Sequence, residues 1–150
     1  MIAPSKKIFY SIEAVLYIAY NSAYGPISSK EIAEKQGLPS RYLEQIMQKL
    51  VRAGILRGVR GPRGGYLLAR ERRRITLGEI CEVLSTEDEG EEEDKFTCTP
   101  LGDKIVMPLW QRINDTIMTT MREVNIAELC DQALAKNIRK HSEERVDFAI

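Results

Sequence analysis

Apolar residues recur at helical spacing through most of the chain. Between Lys7 and Ala23, the residues Ile8, Ile12, Val15, Leu16, Ile18 and Ala19 make a broad apolar face. That pattern predicts a largely buried helix. Tyr24-Gly25-Pro26 breaks it. Ser28 followed by Glu31 has the form of a capping box. It predicts a short helix to Gln36, with Ile32 and Ala33 inward and Gly37 at its end. After Leu38 and Pro39, the residues Leu43, Ile46, Met47, Leu50 and Val51 fall at i, i+3, i+4, i+7 and i+8. A third helix is therefore expected from about Ser40 to Ala53, closed by Gly54. The period then changes. Two short β-prone runs, Ile55 to Val59 and Tyr66 to Ala69, flank Gly61, Pro62, Arg63, Gly64 and Gly65, as in a hairpin.

Thr76 and Glu79 form a second capping box, before a helix with Leu77, Ile80, Cys81 and Leu84 on one face. Ser85 to Gly102 is polar and acidic, the composition of a flexible loop. Pro108 suits the first turn of a new helix. Leu109, Trp110, Ile113, Ile117, Met121 and Val124 run along that helix as an apolar stripe. Asn125 and Glu128 cap a last helix, with Ile126, Leu129, Cys130, Ala133 and Leu134 expected inward. The chain is charged from Arg139 onward.

Helix, short helix, glycine-containing turn, helix and hairpin make a helix-turn-helix followed by a wing. The expected fold class is mainly α with a small β-hairpin wing: a winged helix-turn-helix domain plus a long dimerisation helix. Four segments follow: residues 1–84 as the winged helix-turn-helix domain, 85–107 as a flexible acidic loop, 108–138 as the dimerisation helix and C-terminal helix, and 139–150 as a charged tail. The stripe from Leu109 to Val124 asks for a partner surface. A second copy would cover it; folding back onto its own domain is the alternative.

Charge sharpens the picture. The net charge is zero, but residues 1–75 carry 14 Lys/Arg against 5 Asp/Glu, and residues 76–150 carry 8 against 17. A basic half suits a polyanion, because phosphate contacts supply much of nucleic-acid affinity. Seven acids fall between Glu87 and Asp94. They read as a solvated loop, or as a mimic of DNA or a metal-attracting patch opposite the basic half; no ordered calcium-loop spacing is present. No run approaches the ~20 apolar residues of a membrane span. No signal-peptide pattern is visible, since Glu13 interrupts the first apolar stretch. Three widely spaced cysteines do not make a disulfide framework. A cytoplasmic protein with no membrane partner is expected. No nucleophile–base constellation is readable and the single histidine, His141, lies in the tail, so an enzyme is not expected.

In a helix-turn-helix pair the second helix enters the major groove with its N-terminal residues against base edges. The polar face there carries Ser40, Arg41, Tyr42, Glu44, Gln45, Gln48 and Lys49. Arginine can bridge guanine O6 and N7, glutamine can read adenine, and a glutamate can accept from cytosine. Ser28, Arg57, Arg60, Gly61 and Arg63 join these as candidate DNA-contacting residues around the wing. A dimer would set two such helices about one DNA turn apart, matching a palindromic operator in double-stranded DNA.

The chain resembles the Rrf-type family of bacterial winged-helix transcription regulators, the IscR/NsrR/CymR-like group. The resemblance rests on Gly25-Pro-Ile-Ser28, Glu31-Ile-Ala-Glu34, Tyr42-Leu-Glu-Gln45, Leu50-Val-Arg-Ala-Gly54, Val59-Arg-Gly-Pro62, Gly64-Gly-Tyr66, Ile75-Thr-Leu-Gly-Glu79, Leu109-Trp110 and Asn125-Ile-Ala-Glu-Leu129. It covers about residues 5 to 130. The resemblance implies a homodimer clasped through the long helix, acting on palindromic operator DNA, as a repressor. It implies base reading by Arg41, Tyr42, Glu44 and Gln45, a minor-groove contact by Arg60, and phosphate contacts by Lys7 and Ser40. Arg63 stands where relatives commonly have glycine, which limits positive φ at the wing tip.

Many relatives hold an iron–sulfur cluster on three cysteines before the long helix. At the spacing the resemblance implies, counting back from Trp110 reaches Lys104, Cys98 and Glu92. Cluster ligation wants thiolates, sometimes with histidine. No cofactor is therefore expected. The alternative is a cluster held by Cys98 with non-cysteine ligands. Cys81 and Cys130 fall on apolar helical faces, where free cysteine behaves as a small hydrophobe. Cys98 is the candidate sensing residue: Lys95 and Lys104 would lower its pKa and the acid run would raise it. A regulatory protein or a small ligand is the other candidate signal.

Overall fold

The computed structural model describes residues 5–85 and 99–140. Helix α1 spans Lys6–Tyr20. It ends three residues before Ala23, the expected end, at the buried Asn21, whose backbone and side-chain amides both donate to the Tyr17 carbonyl, at 3.1 and 2.9 Å. A 3₁₀ turn over Ser22–Tyr24 follows. Helix α2 covers Ser29–Gln36 and starts as expected, with Ser28 Oγ accepting from the Glu31 amide at 3.2 Å. The Glu31 carboxylate accepts from Tyr17 Oη at 3.1 Å, tying α2 to α1. Gly37 ends α2 at φ 66°, the left-handed position.

Helix α3 spans Ser40–Arg52 and buries Leu43, Ile46, Met47 and Leu50. Strands β1 (Leu56–Val59) and β2 (Gly65–Leu68) pair antiparallel, Leu56 opposite Leu68 and Val59 opposite Gly65. Ile27 adds a third, single-residue rung. Its amide donates to Tyr66 O at 3.1 Å, and the Tyr66 amide donates to Ile27 O at 2.8 Å. A Cβ at Gly65 would collide with the Ile27 backbone, so only glycine lets the wing lie this close to the loop entering α2.

A 3₁₀ turn over Arg72–Arg74 leads to α4 (Leu77–Ser85). The Thr76–Glu79 capping box is complete. Thr76 Oγ1 accepts from the Glu79 amide at 3.2 Å, and Glu79 Oε2 accepts from the Thr76 amide at 3.1 Å. Arg70 bonds the same carboxylate, fixing the exit of the wing.

The next helix departs from expectation. The chain is already helical at Pro100, passes through a π-helical turn at Gly102–Val106, and continues as α5 over Met107–Glu123. Residues 100–106, expected in the flexible loop, are therefore helical. Pro108 lacks the N–H for an i−4 bond. The wider turn just upstream is where a helical path can absorb that loss. Val124, expected on the stripe, is extended and ends α5. Cys98 and the acid run 87–94 lie outside the described residues.

Helix α6 (Ile126–Ala135) is capped by Asn125 Oδ1 accepting from the Glu128 amide at 3.1 Å. It returns to the N-terminal core. Ile126 N donates to Ile75 O at 2.9 Å, and Tyr20 Oη donates to Ile138 O. Ile126 and Cys130 pack with Ala14, Val15, Ile18, Leu43, Leu50 and Ile80 in one core. The segment 108–138 is thus divided in space, since α6 packs with the first domain. Leu134 points outward at 61% exposure, against expectation. No helix among the described residues is long and apolar enough to cross a membrane.

Candidate nucleic-acid interface

The amphipathic cut of α3 decides which side chains are presented. Leu43, Ile46, Met47 and Leu50 sit in the core, which turns Ser40, Arg41, Glu44, Gln45 and Gln48 outward, all exposed. Tyr42 is exposed at the edge of that face, and Lys49 is half-buried. No side chain caps the first turn of α3, whose N-cap is Pro39.

The wing stands beside this helix. Burial raises the Tyr66 phenol above its ordinary pKa, and the nearby Glu44 carboxylate raises it further, so the recognition face and β2 share one electrostatic neighbourhood. Arg60, Gly61, Pro62 and Arg63 are exposed at the tip. Gly61 takes φ 117°, and the Gly64 amide donates to Gly61 O at 2.9 Å. Among the described residues Asn137 is the only non-glycine with positive φ. Arg63 therefore sits in ordinary backbone, and the left-handed step of the tip falls on Gly61.

Three candidate residues are placed differently. Ser28 spends its hydroxyl on capping α2, at the junction with Gly64 and Gly65. Lys7 is half-buried on α1, with Nζ 3.4 Å from the Leu84 carbonyl at the end of α4. Arg57 pairs across the ribbon with Leu67, out of phase with the buried Leu56, and lines a groove with Arg72 and Arg73. Those two arginines are not singled out by the sequence pattern, although the run Arg72-Arg73-Arg74 is plain in it.

The stripe on α5 divides as well. Leu109, Trp110, Ile113 and Ile117 are exposed, at 36% to 57%. Leu101, Ile105 and Val106 extend the uncovered face backwards along the helical path, at 58% to 74%. Spacing could have revealed them had Pro108 not marked a helix start. Met121 instead packs inside the chain, its Sδ 3.5 Å from Cys81 Sγ. Arg122 bonds Glu82 through Nε and Nη2. A Cβ at Gly78 would strike Arg122, so that glycine sets how closely α4 and α5 approach.

The chain matches the Rrf2 family, described as iron-dependent transcriptional regulators, over residues 4–132. It is 34% identical over 141 residues to the HTH-type transcriptional regulator IscR of Cronobacter sakazakii, covering 89% of this chain and 85% of that one. Its fold is similar to that of T. potens IscR, with a TM-score of 0.72 and 32% identity over 95% of this chain and 96% of the other. It is also similar to CymR, the global cysteine regulator of B. subtilis, with a TM-score of 0.67 and 30% identity over 88% and 98% of the two chains.

Among the described residues no donor set fits the cluster that an iron-dependent family implies; Cys98 and Glu92 lie outside them. Cys81 and Cys130 are buried on separate helices, and burial pushes both thiols above their ordinary pKa. Thiolate ligation needs the opposite. Among the described residues no three His, Cys, Asp or Glu converge on a metal site. Lys104, at one position where the resemblance implies a ligand, is a helical lysine.

A polar recognition face, a basic wing tip and a family match over nearly the whole described chain agree: the protein belongs to the Rrf2 family and is a DNA-binding transcription regulator.

Proposed function

We propose that the protein is a homodimeric repressor of a palindromic operator, joined through the exposed apolar face of α5. The observation that carries this reading is the pairing of two exposed surfaces in one chain. A polar recognition face with a basic wing tip can read DNA, and an apolar helix face needs a second copy. Arg41, Tyr42, Glu44 and Gln45 read base edges, supported by Gln48 and Lys49. Arg60 enters the minor groove, where a narrow groove attracts arginine. Gly61 lets the tip turn, and Ser40 and Arg63 hold phosphate. Lys7 shares its ammonium between phosphate and the Leu84 carbonyl. Leu109, Trp110, Ile113 and Ile117 form the dimer seam.

The protein works in the cytoplasm, and the signal acts without a resident cluster. A redox event at Cys98, a metabolite or a partner protein would shift the balance between DNA-competent and incompetent dimers. The test uses an operator selected from a random duplex library. Arg60→Ala is expected to weaken binding and flatten its salt dependence, and Glu44→Ala to change base preference at one position per half-site. Unchanged binding by both variants would refute the docking. Protein purified without oxygen is expected to be colourless and free of stoichiometric iron; a brown protein would return the cluster to the mechanism.

A further inference from the structure

Behind the wing lies a strongly cationic groove that neither α3 nor the wing tip uses. It measures about 930 Å³ and lies between the outer face of the β1–β2 ribbon, the Arg72–Arg74 turn and α6. Arg57, Arg70, Arg72 and Arg73 line it, with Glu71 and Asp131 as its acids. These charges are not equivalent. Arg70 is a fixed wall: Nε donates to Gly54 O at 3.2 Å, Nη1 to Arg74 O at 3.3 Å, and the guanidinium pairs with Glu79. Glu71 leans towards Arg74 at 3.9 Å. The Arg72 guanidinium beside Cys130 opposes the upward push of burial on that thiol. Arg57, Arg72 and Arg73 are all exposed.

We propose that Arg57, Arg72 and Arg73 form a second DNA-backbone site, which holds phosphates of the duplex flanking the half-site read by α3. The inference rests on the operator-binding reading above. Two observations favour duplex backbone over a small anion. The groove is open and its arginines are exposed, which suits a long, solvated polyanion. It is also continuous with the wing, since Arg57 lies on the strand that runs into Arg60 at the tip. Arginine forks match phosphate oxygens two at a time. Along β1, Arg57 alternates with the buried Leu56, so its exposed side chain leaves the ribbon away from the core. The groove would therefore take DNA beyond the wing, outside the base pairs that α3 reads.

The experiment uses the full chain and the selected operator in two lengths, one trimmed to the palindrome and one extended by about ten base pairs on each side, roughly one helical turn. The wild type should bind the extended duplex about tenfold more tightly. R72Q/R73Q should bind both lengths as the wild type binds the trimmed one. Its salt slope on the extended duplex should fall by about 1 for each phosphate it no longer neutralises. Arg60→Ala should weaken both lengths alike and keep the flank advantage. Equal wild-type affinity for the two lengths would overturn the proposal while leaving operator binding intact. So would a flank advantage that survives R72Q/R73Q, or an equal loss on both lengths. Saturable pyrophosphate binding that R72Q/R73Q abolishes, without a flank effect, would identify a small-anion pocket and also overturn it. If the library yields no operator, the parent reading fails first.

Discussion

The two ends of the molecule bury their apolar residues in different ways. In α1 to α4 and α6, the large aliphatic side chains close on one another, and Val15, Ile18, Leu43, Leu50, Ile80 and Ile126 are fully buried. Along α5 the same residue types stay in solvent. Leu109, Trp110, Ile113 and Ile117 are exposed although their spacing is that of a core-facing stripe. The first region completes its own hydrophobic core; the second presents half of one. Buried apolar area is the main favourable term in folding and association. The contrast therefore teaches that the face of α3 and the wing rest on a core completed within one chain, while the apolar face of α5 is left open for association, as the dimer proposed above requires.

Substitutions can break either side of this contrast. The largest effect is expected at the self-contained end. Leu43→Ala removes a fully buried side chain beneath the recognition face. It should cost about 2–5 kcal/mol of stability in chemical denaturation, by lost transfer energy plus a cavity. Next is the open end. Trp110→Asp with Ile113→Asp places charges on the exposed seam, where the chain's own core makes no demand. Sedimentation should show a folded monomer, and operator affinity should fall by about 100-fold as the second half-site becomes a separate binding event. A dimer that survives would remove the seam from α5. The smallest effect should come at the joint between wing and helix pair. Gly65→Ala forces the Ile27 backbone aside and should cost about 1–3 kcal/mol, as overpacking does. It should also misplace the wing tip, so that adding Arg60→Ala to Gly65→Ala weakens DNA binding less than Arg60→Ala does alone.

Much of this was legible in the chain. The apolar periods of α1, α3 and α4 and the caps at Ser28, Thr76 and Asn125 are local signals, set within a few residues of each other. The basic tip with its two flanking β-prone runs located the wing. Departures came where other contacts overrode the strongest local signal. Helix α1 ends at Asn21, whose side chain bonds the Tyr17 carbonyl, ahead of the glycine and proline that mark its end in the sequence. Pro108 signals a start, yet a π-helical turn lets the helical path begin at Pro100. Met121 carries the same apolar signature as Ile117, but only Met121 meets Cys81.

By itself the sequence determined the order and kind of the elements, the polar face of α3 and the basic tip of the wing. Each depends on residue type at a fixed short spacing. The tertiary structure decided which apolar stripe is satisfied and which stays open. It returned α6 to the N-terminal core and placed Arg57 with Arg72 and Arg73 behind the wing rather than beside α3. These outcomes depend on how surfaces far apart in sequence meet, and periodicity shows that a face is apolar without naming what will cover it.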